Sequence, residues 1–406
     1  MATKTKSTPR GGAGGSDSNH GVQVSETSSG LSYIKTIATS IIGLVATAAD
    51  ADADMFPLNK PVLVNSINTA LAKAGTTGTL YRTLNAISKI TNPVMVIVRV
   101  EEGADEAETT SNVIGKIETD GTPTGLQALL VAKQRLGYKP RIIGVPYLDN
   151  QAVITELAVI AKKLKAFAYA KNPEKTVVEA GNYRTHFSAR ELMLVCDEFT
   201  NWNVNTSSEE LLDPVAVALG TRAWLDATQG WHKSISNVAI SGVTGINSNF
   251  SWDLQDPNTD VNLLNGKDVT CLINFNGPRF WGNRTCDTEG TYIFEVYTRT
   301  AQILAETVAE AHFRYVDGVM IPSNVVDIVE SVSEKLRQMV TNGQLLGGRC
   351  WFEEELNPIT SLKTGRVVVK YNYTPVPPME DIQFIQEFTD EYWIDFVQAV
   401  TQQISA

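Results

Sequence analysis

Residues 141–170 read RIIGVPYLDNQAVITELAVIAKKLKAFAYA, an apolar run, a stretch of helical period and a second apolar run. Each flanking run is apolar on both alternations, as a strand covered on both faces must be, so the segment predicts one strand–helix–strand unit. The same grammar extends on either side. TSIIGLVATA (39–48), PVMVIVRV (93–100) and ELMLVCDEF (191–199) read as further strands, GTLYRTLNAISKI (78–90) and TGLQALLVAKQRLG (124–137) as helices. This alternation predicts an α/β domain over 31–240 with a mostly parallel sheet and helices on its faces. A last helix, DPVAVALGTRAWLDATQG (213–230), carries Pro214 in its first turn and Gly230 at its exit.

After residue 240 the texture changes. ISGVTGINSNFSWDLQDP (240–257) is loop-rich and VTCLINFNGPRFWGNRTC (269–286) reads as a hairpin. Two long helices follow, one with Ile303, Leu304, Val308 and Ala311 on one stripe, the other capped by Ser323 and stopped at Gly343. With strands near 349–356 and 365–376, residues 241–374 are expected to form an α+β unit. The chain then does something a closed domain has no use for: GRVVVKYNYTPV is followed by prolines, a second strand-like run DIQFIQEF (381–388), and an apolar helical stripe of Trp393, Phe396, Val397, Val400 and Ile404. Residues 1–20 have almost nothing to bury, and GVQVSE (21–26) alternates Val22 and Val24 with Gln23 and Ser25, the period of a strand with one apolar face.

Composition removes several function classes. The chain carries 34 basic and 45 acidic residues among 406, a net charge of −11, which argues against a general nucleic-acid binder. No run approaches the ~18 apolar residues of a membrane span, and the N-terminus lacks the apolar core of a secretory signal, so a cytoplasmic origin is expected. Cys196, Cys271, Cys286 and Cys350 have no metal or dithiol spacing and are expected as free thiols.

Motif chemistry is tempting in places and fails. Trp231, His232 and Lys233 in GWHKS lack a partner in local sequence and read as a helix-exit turn with an aromatic anchor. Asp50, Asp52 and Asp54 start like a calcium loop, but Met55 stands where glycine is required and Pro61 where a bidentate Glu should be. Gly75 and Gly78 precede a helix without a phosphate-binding glycine pattern or lysine. No HExxH or GxSxG occurs. The expectation is no catalytic, metal or cofactor site; an α/β enzyme with a crevice at its strand ends is the competing class.

Seven segments in order, NHGVQVSET, MFPLNKPVLV, RIIGVPYLD, GWHKSISNVAISGVTGI, RFWGNRTC, YTRTAQILAETVAEAH and YNYTPVPP, resemble the tail sheath protein of contractile-tailed bacteriophages, of the short myophage type to which R-type pyocin sheaths are similar. The resemblance runs from about His20 to the end; residues 1–19 depart from the family pattern. It implies an outer α/β domain, an inner α+β domain beside a tail tube, and N- and C-terminal arms that reach neighbouring subunits. A strand outside its own domain is stable only if another sheet takes it. The resemblance assigns that role to Val22, Gln23, Val24 and Ser25 in one arm (residues 1–30) and to Ile382, Gln383, Phe384, Ile385, Gln386 and Phe388 in the other (375–406). Pro375, Pro377 and Pro378 would stiffen the hinge between body and arm. Lys335, Arg337, Glu391 and Asp395 are candidate tube contacts by their place in the inner part.

The implied function is mechanical. Hexameric rings would stack helically around the tube and contract after a baseplate trigger, driven by subunit packing and not by a nucleotide. The partners implied are further copies of the chain, the tail tube protein, and baseplate and tail terminator proteins, in the virion tail after assembly in the host cytoplasm. A sheath from a bacteriocin or injection particle would look the same in sequence.

Overall fold

The computed structural model describes residues 34–203 and 207–406. Its largest feature is an eight-stranded sheet. From the sheet's start, β1 (Ile42–Thr47) is followed by β2 (Pro61–Val64), β3 (Met95–Val100), β4 (Ile142–Gly144), β5 (Phe167–Lys171) and β6 (Leu192–Val195). Next come β7 (Glu198–Asn203), β8 (Ser208–Leu212), β9 (Gly245–Asn247), β10 (Val269–Asn274) and β11 (Pro278–Trp281). The sheet order is β11-β10-β6-β5-β4-β1-β3-β2, parallel throughout its interior with antiparallel strands at both edges. Ile42 of β1 pairs with Met95 on one side and Ile142 on the other, so the chain crosses over β1 between β3 and β4. A small antiparallel sheet, β8-β7-β9, sits beside it.

Helices cover both faces, as the two-sided apolar strands require. On one face α1 (Ile67–Leu71) and α2 (Leu80–Ser88) pack with the later α7 (Pro214–Thr228) around Leu84, Ile97, Phe167 and Leu219. On the other, α3 (Glu106–Ile114), α4 (Ala132–Leu136) and α5 (Gln151–Leu164) enclose Val45, Val98, Leu157 and Leu194. The stretch expected as one helix over 124–137 is a 3-10 segment, Gly125–Val131, that runs into α4. At three residues per turn Leu126 and Leu129 stand directly in line and both enter the core, where Ala128 is also buried. α6 (Val177–Arg184) and α8 (Asp260–Asn265) close a smaller core against β10.

The sheet does not end near residue 240. The expected hairpin exists as β10–β11, but β10 pairs with β6 and extends the large sheet, and β9 pairs with β7. The loop-rich passage therefore stays with the α/β part, and the chain leaves it only at α9 (Glu295–His312). α10 (Pro322–Thr341) starts at Pro322, one residue before the expected Ser323 cap, because proline suits a first turn whose N–H needs no partner. It stops at Gly343, with φ of 70°. β12 (Leu345–Phe352), α11 (Ile359–Lys363), β13 (Val369–Pro375) and α12 (Trp393–Ile404) complete the chain.

Candidate assembly surfaces

α9 lies across the amino ends of the central strands, and polar bonds hold it there. Gln302 donates to the carbonyl of Ala166 at 3.0 Å and Thr298 to that of Arg190 at 3.0 Å, residues that precede β5 and β6. Glu306 pairs with Lys139 and Arg141, just before β4. At the helix's start Glu295 accepts from the Tyr169 hydroxyl at 2.5 Å and from Arg222 of α7 at 3.1 Å. Arg222 also holds Asp226 at 2.7 Å and the carbonyls of Lys233 and Gly230, and Asp226 pairs in turn with Arg299. Arg222, Glu295 and Arg299 are buried. Burial alone would depress the Arg222 pKa, but Asp226 and Glu295 outweigh it and hold the guanidinium charged. The end of α7 is fastened too: Gly230 turns at φ of 106° and Trp231 is buried against Ile303, Leu336 and Leu345. This is the aromatic anchor expected of GWHKS, and half-buried His232 has its pKa lowered by burial and by Arg222.

On this base α10 covers one face of the β12–β13 pair. Val332, Leu336 and Met339 meet Leu345, Cys350, Tyr371 and Tyr373, and along β13 Val369, Tyr371 and Tyr373 alternate with exposed Lys370, Asn372 and Thr374. Among the described residues neither β12 nor β13 has a second strand neighbour, so both outer edges carry unpaired backbone groups. Leu346 at the bulge and Phe352 at the end of β12 are also exposed.

The sequence-predicted arm and tube residues fall as follows. Val22, Gln23, Val24 and Ser25 lie outside the described residues. Pro375 ends β13, and Pro377 and Pro378 follow it in the spacer. Residues 376–390 form neither helix nor strand, and Ile382, Gln383, Phe384, Ile385, Gln386 and Phe388 are exposed. Phe384, Ile385 and Phe388 are 90%, 97% and 87% accessible, values at which an apolar side chain has no cover at all. α12 likewise buries none of its residues, leaving Trp393, Phe396 and Val397 in solvent. Glu391 and Asp395 are exposed on this segment. Arg337 is exposed and paired with Glu334 at 2.6 Å, whereas Lys335 is buried and donates to Thr36 at 2.9 Å. Sequence reading therefore placed Lys335 on the wrong side of its helix for a solvated charge.

The crevice that a competing enzyme reading needs is present as a cavity of about 610 Å³ at the carboxyl ends of β4 and β5, lined by Tyr147, Asp149, Lys171, Tyr183 and Asp213. Its carboxylates serve the backbone: Asp149 accepts from the N–H of Lys171 at 2.5 Å, Asp213 from those of Val215 and Tyr147. Burial pushes both acids above the usual carboxylate range, with Asp213 adding to the shift at Asp149. Lys171 is matched by Glu198 at 2.6 Å. Among these lining residues no nucleophile is poised on a base. Asp50 is committed to Thr76 and Thr77, and Asp52 to Lys73 at 2.6 Å, which explains their acidic run without calcium. All four cysteines are free and buried.

Three family descriptions match the chain: "Tail sheath protein Gp18 domain III N-terminal region" over residues 39–100, "Phage tail sheath protein central domain" over 121–286 and "Phage tail sheath C-terminal domain" over 287–389. The tail sheath protein of Escherichia phage P2 is 46% identical over 392 residues, covering 95% of this chain and 99% of that one. The major tail sheath protein of Serratia phage KSP20 is 49% identical, covering 92% and 96%. In fold the chain is similar to the contracted sheath of an extracellular contractile injection system, PVC, with a TM-score of 0.68 at 17% identity over 92% of this chain and 98% of that one. It is also similar to the contracted helical sheath of the anti-feeding prophage, with a TM-score of 0.62 at 14% identity over 92% and 99%. These relatives are structural proteins, and the chain belongs with them to the tail sheath protein family of contractile phages.

Proposed function

We propose that this chain is the repeating subunit of a contractile sheath, assembling as hexameric rings that stack helically around a tail tube. The observation that carries the reading is the pairing of two complementary incomplete features in one molecule. Among the described residues the β12–β13 sheet is open on both edges, and beyond it lies an exposed apolar segment that none of those residues covers. An edge and a loose strand satisfy each other only between copies. In this reading residues 381–388 of one copy and 21–26 of another complete the sheet of a third, with the proline spacer absorbing subunit rotation.

The α/β part then faces outward and the unit built on α9, α10, β12 and β13 faces the tube, with Arg337, Glu391 and Asp395 as tube-facing charges. Contraction draws on a change in subunit packing, and strand hydrogen bonds keep the lattice connected while side-chain contacts exchange. Baseplate and terminator proteins bound the stack, which is built in the host cytoplasm and carried in the virion tail. The similarity of 46% and 49% to phage proteins, against 14–17% to injection-system sheaths, favours a phage tail over a bacteriocin or injection particle.

Negative-stain electron microscopy of the full-length chain beside one lacking residues 1–27 tests this. Striated tubes from the full chain and discrete particles from the truncation are expected. Discrete particles from both across salt and concentration would remove the self-assembling reading.

A further inference from the structure

The C-terminal arm is pinned to the body at its root. Arg284 donates from Nε and Nη2 to the two carboxylate oxygens of Glu380, both at 2.9 Å, across 96 positions of sequence. This is the bidentate geometry in which an arginine fixes direction as well as distance. Beyond Glu380, among the described residues, the hydrogen bonds of 381–406 stay within that segment. The pair therefore marks where the chain leaves the body.

Arg284 is placed to serve as a fixed point. Its backbone bridges to Phe294, and its neighbours are tied on both sides. Thr285 donates to Ile293 at 2.8 Å, Cys286 to Leu192 at the start of β6 at 2.8 Å, and Glu295 to Asn283 at 2.9 Å. The guanidinium is flanked at 3.6 Å by Asp268, which the buried Arg184 holds at 3.1 Å. On the arm side, Pro375, Pro377 and Pro378 limit the spacer's freedom. A stiff spacer held by β13 at one end and by Arg284 at the other has essentially one direction of departure.

We propose that Arg284 is the positioning residue of the C-terminal arm, its pairing with Glu380 setting where and in which direction residues 381–388 are offered to a neighbouring copy. This rests on the strand-donation reading above. A pre-aimed arm loses less freedom on docking and meets its acceptor edge at a higher effective concentration than a loose one. Both partners are partly solvated, so the hold is modest and weakens with salt.

The test uses the full chain below its polymerising concentration, spin-labelled through Thr288→Cys and Gln383→Cys; the native cysteines are buried and label poorly. A narrow distance distribution is expected, broadened by Glu380→Gln and by Arg284→Glu, and narrowed again in the swapped pair Arg284→Glu with Glu380→Arg. Equal widths in the native and Glu380→Gln chains would overturn the anchor. In unlabelled chains the polymerisation rate should fall roughly 3- to 5-fold in Glu380→Gln and recover in the swap, the scale of one good exposed pair. A broadened distribution with an unchanged rate would overturn the aiming role. If the native chain forms no tubes at all, the strand-donation reading fails, and the distance widths still decide whether Arg284 holds the arm.

Discussion

Lys335 and Arg337 sit two positions apart on α10 and live in opposite surroundings. Arg337 projects into solvent with Glu334, while Lys335 is 5% accessible and spends its ammonium on Thr36 and Gln338. Their place in the inner part offers both as candidate tube contacts, but positions i and i+2 point to different faces of a helix, and Lys335 falls on the stripe of Val332, Leu336 and Met339. Helical period reports which face is buried; the partner that meets the ammonium there, Thr36, lies 299 positions away and no local pattern names it. Lys335→Glu should destabilise the chain by about 3–5 kcal/mol, because it buries a carboxylate against groups arranged for a cation. Arg337→Glu should stay within about 0.5 kcal/mol of native stability and weaken co-sedimentation with tail tube. Urea unfolding and tube pelldown of the two single variants separate these effects. An undamaged Lys335→Glu chain would mean the ammonium is not buried in solution, and undiminished tube binding by Arg337→Glu would remove that residue from the tube face.

At the scale of elements, the strands and most helices were legible because their periods differ, 2 against 3.6, and their two-sided apolarity announced a covered parallel sheet. What was not legible was membership. The hairpin β10–β11 reads identically whether it stands alone or joins β6, whose residues precede it by about 75 positions in the chain. The same holds for α9, an amphipathic helix by pattern, whose polar face carries Gln302 and Glu306 into bonds at the sheet's amino ends and Glu295 and Arg299 into buried pairs with Arg222 and Asp226 of α7. These residues look solvated in sequence and instead join the two halves of the molecule. Arg222→Met leaves Glu295 and Asp226 buried with one fewer cation, so a loss of about 3–5 kcal/mol is expected in chemical unfolding. Breaking the exposed Arg337–Glu334 pair with Arg337→Ala should cost under ~1 kcal/mol. If the two variants unfold alike, the buried network is not what fixes α9 to the sheet.

For the whole molecule, the arrangement divides into a body that is packed except at the open edges of β12 and β13 and an arm that packs on nothing among the described residues. The first has an apolar core on each side of one sheet, a smaller one against β10 and another beneath α10; the second exposes Phe384, Ile385, Phe388, Trp393 and Phe396 with no cover from the described residues. A soluble monomer rarely leaves so continuous an apolar stretch exposed without a partner for it. The proline spacer and the second strand-like run made this visible in sequence, although the edges that receive a strand became visible only with β12 and β13 placed side by side. Since residues 381–406 contribute no burial to the body, deleting them should move its thermal midpoint by no more than about 2 °C, the scale of a neutral surface change. The same deletion should abolish polymerisation, because each copy would keep its open edges and have no C-terminal strand to give. Calorimetry and electron microscopy on one preparation check both halves. A large fall in the midpoint would mean the arm packs on its own body in solution, and its exposed apolar face would then need no neighbour to explain it.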